Sequence, residues 1–564
     1  MAGIGATDDF SFLFGYDPAY WRGLRKHGFI DRHAGVRLVQ CLYTPRHRCF
    51  NQFAAPGGWL HAEVWPRRRP LLIDRGCGGI SYEDYPFDRR LLDAYANRLG
   101  DRFLGIQLHE WVCNTANDWH RIRKVWPEDK PLTLKALQEH FDWRTPQTCL
   151  ETGEPYDFVR QTYPSTPERF ADRCREYFKR KHRDFHGYLT SVPSYGLTHA
   201  RALRWGARVV MPEQGHHIPM ARVHQAAARG AVRQEGRGSF GSYYAPWGNS
   251  PDSVTCYTPF TLWYTPAEAL CGDAFKHRGN GGSSRAFQRR LFWWAYLTGA
   301  RFMAEEWGPE NTFFDWTDFD LTPYGQVVAD FLSFVRTSGR GRIMTPAAVV
   351  IDREWFALDT FFLAGRDPYW TAPTPHQEVV AEFFRQLVGH PLSGPTDDEW
   401  VLPASPMPDA FDLLLDDAPA EFLSRYAVLV YVGEKPQRFR RKLRHYSGKL
   451  IVLDEPAQAA REMTEATVRT LPVRVEGRVN WLLCRKDRTW QLGLFNPAGV
   501  TVDSHKGERA DPGAAAKATI TGAGRLHRAR LTAAWPQTTR LCAARGRTEV
   551  SIGPGGLAVV EIPQ

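Results

Sequence analysis

Four glutamates close short apolar runs in this chain: Glu110 in IQLHEW, Glu213 in VVMPEQ, and the adjacent Glu305 and Glu306 in FMAEEW. Hydrolysis of a glycosidic bond needs two carboxyl groups, one to protonate the leaving oxygen and one to attack the anomeric carbon or activate water. Successive strand residues face opposite sides, so only one of Glu305 and Glu306 can face a cleft. Trp307 follows Glu306 and would set a ring beside that carboxylate. Glu110 lies between His109 and Trp111, where an apolar neighbour would raise its pKa toward use as a general acid. Asp74 and Arg75 could hold substrate hydroxyls, and His109 reads as an orienting hydrogen-bonding group. Trp111, Trp119, Trp247 and Trp307 are candidate platforms for a sugar ring, with Asn114, Tyr195 and Tyr244 as polar lining. Trp293, Trp294 and Trp316 sit in apolar, helical contexts and read as core.

Each of these residues also has a plainer role. A strand-end glutamate standing alone is more often a salt-bridge partner, and an Asp–Arg pair is as often structural. The joint occurrence of four glutamates on one rim favours chemistry. Glu213 with His216 and His217 invites a metal reading, but the spacing matches neither HExxH nor a standard facial triad, so no metal is expected. No GxSxG elbow, P-loop or GxGxxG is present, and no cofactor is expected.

Positioning these groups requires a scaffold. Val36–Tyr43, Pro70–Arg75, Phe103–Trp111, Tyr188–Pro193, Ala207–Glu213, Ser239–Trp247 and Arg301–Trp307 read as buried strands separated by amphipathic helices, and Ala347–Asp352 is an eighth such run. Buried strand followed by helix, repeated about eight times, predicts a (β/α)8 TIM barrel, whose strand C-termini open onto one face. A doubly wound sheet is the competing arrangement, and Ala347–Asp352 could instead open the next domain. Tyr426–Gly433 and Lys449–Asp454 then predict a small α/β domain of flavodoxin or amidotransferase type. Short alternating runs from about residue 471 predict a β-sandwich. The expected division is 1–344, 345–470 and 471–564.

With 43% hydrophobic and 24% charged residues in 564, the chain is neither disordered nor fibrous. Its net charge of +10 is scattered arginine without a nucleic-acid-binding signature, so no nucleic acid is expected. No 18-residue apolar run exists, so no membrane span is expected. Ten cysteines without CxxC spacing fit free thiols in a reducing compartment. With no export signal at the N-terminus, a cytoplasmic location is expected; a trimmed secreted or periplasmic form would read the same.

The order of barrel, small α/β domain and β-sandwich resembles the retaining β-galactosidases of glycoside hydrolase family 42 and their relatives. The likeness rests on Ile106 to Trp111, on Arg289 to Gly308 (RRLFWWAYLTGARFMAEEWG), and on Leu321–Gly325 (LTPYG) leading toward Ala347–Asp352. It implies an acid/base after an Asn on the fourth barrel strand and a nucleophile on the seventh. On the predicted strands Glu306 falls on the seventh and takes the nucleophile's role. Glu110 follows His109 instead of Asn, on the third strand, and the acid/base stays open between Glu110 and Glu213. The resemblance also implies a homo-oligomer, because those enzymes form trimers through the middle domain. Galactose specificity does not carry over. The expected activity is hydrolysis of O-glycosidic bonds in an oligo- or polysaccharide by retention. A non-catalytic carbohydrate-binding barrel and a metal-dependent hydrolase built on Glu213, His216 and His217 are the alternatives.

Overall fold

The computed structural model describes residues 9–39, 49–74, 87–112, 167–246, 257–258, 282–355, 358–366, 374–391, 397–503 and 507–564. Arg75, Asn114, Trp119 and Trp247 lie outside the described residues.

The first sheet is built from β1 (Ser11–Gly15), β2 (Ala34–Val39), β3 (Leu71–Asp74), β4 (Phe103–His109), β5 (Leu189–Val192), β6 (Val209–Val210), β7 (Glu213–Gln214), β8 (Ser239–Tyr244) and β9 (Phe302–Glu305). All pairings are parallel, and β6 pairs with both β5 and β8, which closes the ring. β6 and β7 are two halves of one barrel strand, each paired with β8, so the barrel has eight strands. The TIM barrel expectation holds.

The strand count needs correcting. β1, only five residues long, was absent from the sequence reading, and it pairs with β2 and β9. It moves Phe103–His109 from third to fourth strand and Phe302–Glu305 from seventh to eighth. Ala347–Ile351 is not a barrel strand. After a two-residue strand, β10 (Arg342–Ile343), it forms β11 of a second parallel sheet with β12 (Phe411–Leu415), β13 (Val428–Tyr431) and β14 (Lys449–Val452), in the order β12-β11-β13-β14. That run is apolar because the sheet is covered on both faces. Ala347, Val349 and Ile351 join the main core, while Ala348 and Val350 pack with Leu423, Leu429 and Phe439.

The C-terminal region is two large antiparallel sheets and a separate two-stranded pair, Val500–Asp503 with Gly507–Ala510. One contains Asn480–Lys486, Thr489–Phe495, Leu557–Pro563 and Arg530–Trp535, with β10 on its edge. The other contains Val473–Glu476, Ala516–Gly522, Arg547–Ile552 and Arg540–Ala544. Trp481, Leu483, Leu492 and Val560 of the first pack with Ile520, Val550 and Ile552 of the second, as in a β-sandwich.

Helix Ala221–Glu235 joins the barrel to the second sheet. Arg222 pairs with Asp409, and Arg229 pairs with Asp412 at 2.6 Å. Gly230 lets the helix rest directly on β12, since a Cβ there would sit 2.2 Å from the Leu413 carbonyl oxygen. No described helix is long and apolar enough to cross a membrane.

Candidate functional site

Strand alternation sorts the barrel residues into an outer and an inner face. Leu13, Leu72, Leu104, Val192, Val209, Met211, Tyr243, Phe302 and Ala304 form the inner cluster. Met303 packs with the outer core while Phe302 and Ala304 face inward, so Glu306 continues the inner row and Glu305 the outer one. Glu305 accepts a 2.9 Å hydrogen bond from Gln288 Nε2 on the covering helix Arg285–Leu297. Burial pushes its carboxyl up to about 8. It is a carboxyl of the barrel wall, not of the cleft.

His109 reaches the interior through a bulge. In the pairing of β3 with β4, Leu71 faces Phe103 and Leu72 faces Gly105, one residue out of step. The slip inverts the parity of the rest of the strand, so Ile106 and Leu108 face the outer core while Gln107 and His109 turn inward. Gly105 has φ 97°, and a Cβ there would lie 2.6 Å from the Tyr188 carbonyl oxygen. Glycine at this position is what aims His109.

The strand C-termini thus collect Arg37, Asp74, His109, Glu213, Tyr243 and Glu306 in one buried polar layer. Arg37 pairs with Asp74 at 2.9 Å, both side chains fully buried. It also donates to the carbonyls of Glu305 and Glu306, the latter at 2.7 Å, and so fixes the chain where β9 ends. The Tyr243 hydroxyl lies 3.4 Å from Asp74 Oδ2, and its ring meets the His109 ring edge-on at 4.9 Å. His109 Nε2 is 3.1 Å from Glu213 Oε2, and His217 Nε2 is 3.4 Å from Glu213 Oε1.

The electrostatics separate the two inner glutamates. Burial disfavours the charge on Glu213, but the charge and hydrogen bond of His109 outweigh it and hold the carboxyl well below the usual carboxylate range. The same pair acts on His109, where burial alone would lower the pKa and Glu213 instead pushes it up to about 10. Burial pushes Glu306 up to about 7; the charges of Glu213 and Glu110 add to this, against His109 and Arg37. Near neutral pH one carboxyl is ionised and the other keeps a proton for much of the time.

Glu110 sits just past β4 in a left-handed conformation, φ 49°, with its N–H donating to the Val192 carbonyl at 2.8 Å. One oxygen each from Glu110 and Glu213 and one His109 nitrogen lie within 4.8 Å of one another, a set that could hold a metal ion. The grouping differs from the one expected. His217 does reach Glu213, but the buried His216 ring packs on Phe287 at 4.4 Å, and His109 and Glu110 complete the set.

Two of the proposed site residues, Trp111 and Tyr244, lie in the core instead. Trp111 is fully buried among Phe178 and Trp205, with Nε1 donating to Ser191 Oγ at 3.0 Å, so its ring is core and cannot stack on a ligand. Tyr244 faces the outer core, its hydroxyl 2.9 Å from Ser283 Oγ. Tyr195 packs with Ile218 and Phe361. Trp307 is 3% exposed at the start of helix Gly308–Thr312 and offers no open platform. Conversely, Arg37 and Tyr243 escaped the sequence reading. A charged residue inside an apolar strand (VRLV) was the available signal for Arg37. Tyr243 had none beyond its place beside Tyr244.

No family model matches the chain, and no curated protein matches it. Solved structures do. The GH42 beta-galactosidase Gan42B is 9% identical over 99% of both chains, with a TM-score of 0.50. A catalytic mutant of Gan42B from G. stearothermophilus gives 10% identity, the same coverage and a TM-score of 0.49. The alpha-L-fucosidase isoenzyme 2 from Paenibacillus thiaminolyticus is 10% identical over 98% of this chain and 99% of its own, with a TM-score of 0.45. The chain shares the fold of Gan42B. At this identity the likeness concerns fold alone, and the chemistry must come from the residues.

Proposed function

We propose that this chain is a glycoside hydrolase that cleaves O-glycosidic bonds of an oligo- or polysaccharide in the mouth of the barrel. The carrying observation is that Glu213 and Glu306 enter one mouth with their proton affinities driven apart, as an acid and a charged carboxylate require. The fold shared with Gan42B, a beta-galactosidase, supports a carbohydrate substrate. Glu306, proton-bearing near neutrality, is the general acid, and Glu213, held ionised by His109 and His217, attacks the anomeric carbon or stabilises its developing charge. This reverses the role first given to Glu306. That role was transferred from a seventh strand; Glu306 follows the eighth, and the seventh, β8, carries no glutamate.

In catalysis the Glu306 proton passes to the leaving oxygen as the bond breaks. Positive charge grows on the sugar ring and the Glu213 carboxylate meets it; water then adds to the anomeric carbon and gives its proton to Glu306, which restores both groups. Arg37, anchored on Asp74 and on the carbonyls after β9, holds the Glu306 backbone in place for that transfer. The test is release of reducing sugar from a panel of neutral and anionic glycans, with Glu306→Gln and Glu213→Gln as controls. Loss of at least ~100-fold in each variant supports the assignment. Glycan binding without turnover in the unaltered protein would point to a binding protein instead.

A second reading has its own observation. The His109, Glu110 and Glu213 donors suit a divalent ion that prefers nitrogen and oxygen ligands. In that case a chelator abolishes turnover and elemental analysis finds metal; a hydrolase working through Glu213 and Glu306 alone is indifferent to the chelator.

A further inference from the structure

At the opposite end of the barrel lies a cleft of about 770 Å³, between the end of helix Ala221–Glu235, the turn into β8, β10 with the residues after it, and helix Ala420–Leu423. The volume lies within the range of small-molecule sites. Among the described residues its charged lining is entirely arginine: Arg233, Arg237, Arg342 and Arg425, with no carboxylate. Arg233 pairs with Asp412, which it shares with Arg229. Arg237, Arg342 and Arg425 are exposed and have no ion-pair partner among the described residues. Beside them are apolar walls from Met344, Phe422 and Tyr426. The Arg425 guanidinium lies 5.5 Å from the centre of the Phe422 ring, which holds it along the wall.

Three uncompensated guanidinium groups around one cleft repel one another, and the local field attracts an anion. Their planar forks suit phosphate or carboxylate oxygens, two at a time. A single monovalent anion would leave most of this charge unused. The aromatic and thioether walls have nothing to offer an inorganic ion, but they suit a flat organic body.

We infer that this cleft is a binding site for a small organic anion carrying at least two negative charges on a planar body, an organic phosphate or a polycarboxylate. It is separate from the barrel mouth and shares none of its residues. The experiment is calorimetric titration of the full chain with ADP, pyrophosphate, adenosine and trimesate, repeated on Arg342→Ala and Arg425→Ala. Arg438→Ala, which alters a different basic crevice in the second sheet's region, is the control. ADP or trimesate should bind, more tightly than pyrophosphate, and adenosine should not. Binding should weaken as salt rises, and by about 10-fold in each of the two cleft variants. Turnover at the barrel mouth should be unchanged in both. The preferred arm, ADP or trimesate, separates a phosphate from a carboxylate source. Pyrophosphate binding as tightly as ADP would overturn the planar body. Absence of binding by every anion, or loss of binding only in Arg438→Ala, would overturn the site.

Discussion

Two buried charge clusters in this protein follow opposite rules. Where helix Ala221–Glu235 meets the second sheet, Asp412 is met by Arg229, Arg233 and the Tyr426 hydroxyl, and Asp409 by Arg222 and Trp294. Remaining donors of Arg222 and Arg229 go to the carbonyls of Val388, Met407 and Phe411. In the barrel mouth, Asp74, Glu213, Glu306 and Glu110 share a small volume with Arg37 and His109, and one glutamate is driven toward the neutral form. Saturated pairs hold elements together, whereas unbalanced ones leave a proton available at a usable pH.

The sharpest way to break the contrast is Asp412→Ala. It leaves the buried Arg229 and the half-buried Arg233 without their carboxylate and should cost about 3–5 kcal/mol, read from chemical denaturation. A cost below about 1 kcal/mol would mean that the joint is not held by these pairs. In the mouth the expected pattern inverts. Glu306→Gln should lower turnover at least ~100-fold while raising the denaturation midpoint near neutral pH, because the raised pKa of the native carboxyl costs stability there that a glutamine does not. Glu305→Gln, one residue away on the wall, should keep turnover within a few-fold. Equal losses in the two variants would remove the distinction between inner and outer glutamate.

Gly105→Ala tests the aim of His109. Its Cβ meets the Tyr188 carbonyl at a backbone angle that alanine avoids, so about 1–3 kcal/mol of stability should be lost together with turnover. Stability loss with full turnover would show that the bulge does not position the site.

The smallest effect expected is on pH. Glu305 and Glu306 have folded pKa values of about 8 and about 7, above the unfolded value near ~4.3. Their stabilising contribution is complete below the unfolded value and is lost as pH rises through about 7 and then about 8. The denaturation midpoint should therefore fall from about pH 4.3 to about pH 8, and Glu305→Gln should make that fall shallower and end it near pH 7. With Glu306 as the proposed acid, turnover should fall through about 7 only. Glu213, with its pKa lowered, adds stability above its unfolded value that is lost only in strong acid.

Much of this was legible in the chain itself. The repeated strand–helix pattern located seven of the eight barrel strands, because a strand buried on both faces is a continuous apolar run wherever it occurs. For the same reason Ala347–Ile351 could not be told from a barrel strand: AAVVI is equally buried in either sheet. Strand-end glutamates were found because a carboxylate after an apolar run stands out. Their roles were not, since those depended on a strand count that the five residues of β1 changed.

Composition and local pattern determined that there would be a barrel with acidic strand ends, a parallel sheet after it and a sandwich at the end. Those features depend on periodicity, which is written into neighbouring residues. Which glutamate faces the mouth, which tryptophan is core, and which carboxyl keeps its proton were decided only in three dimensions. A single-residue bulge at Gly105 inverts the parity of the strand after it, and the pKa of Glu306 depends on Glu213, His109 and Arg37, brought beside it from three other strands. Such distances are properties of the closed barrel, because charges far apart along the chain interact strongly only when folding removes the water between them.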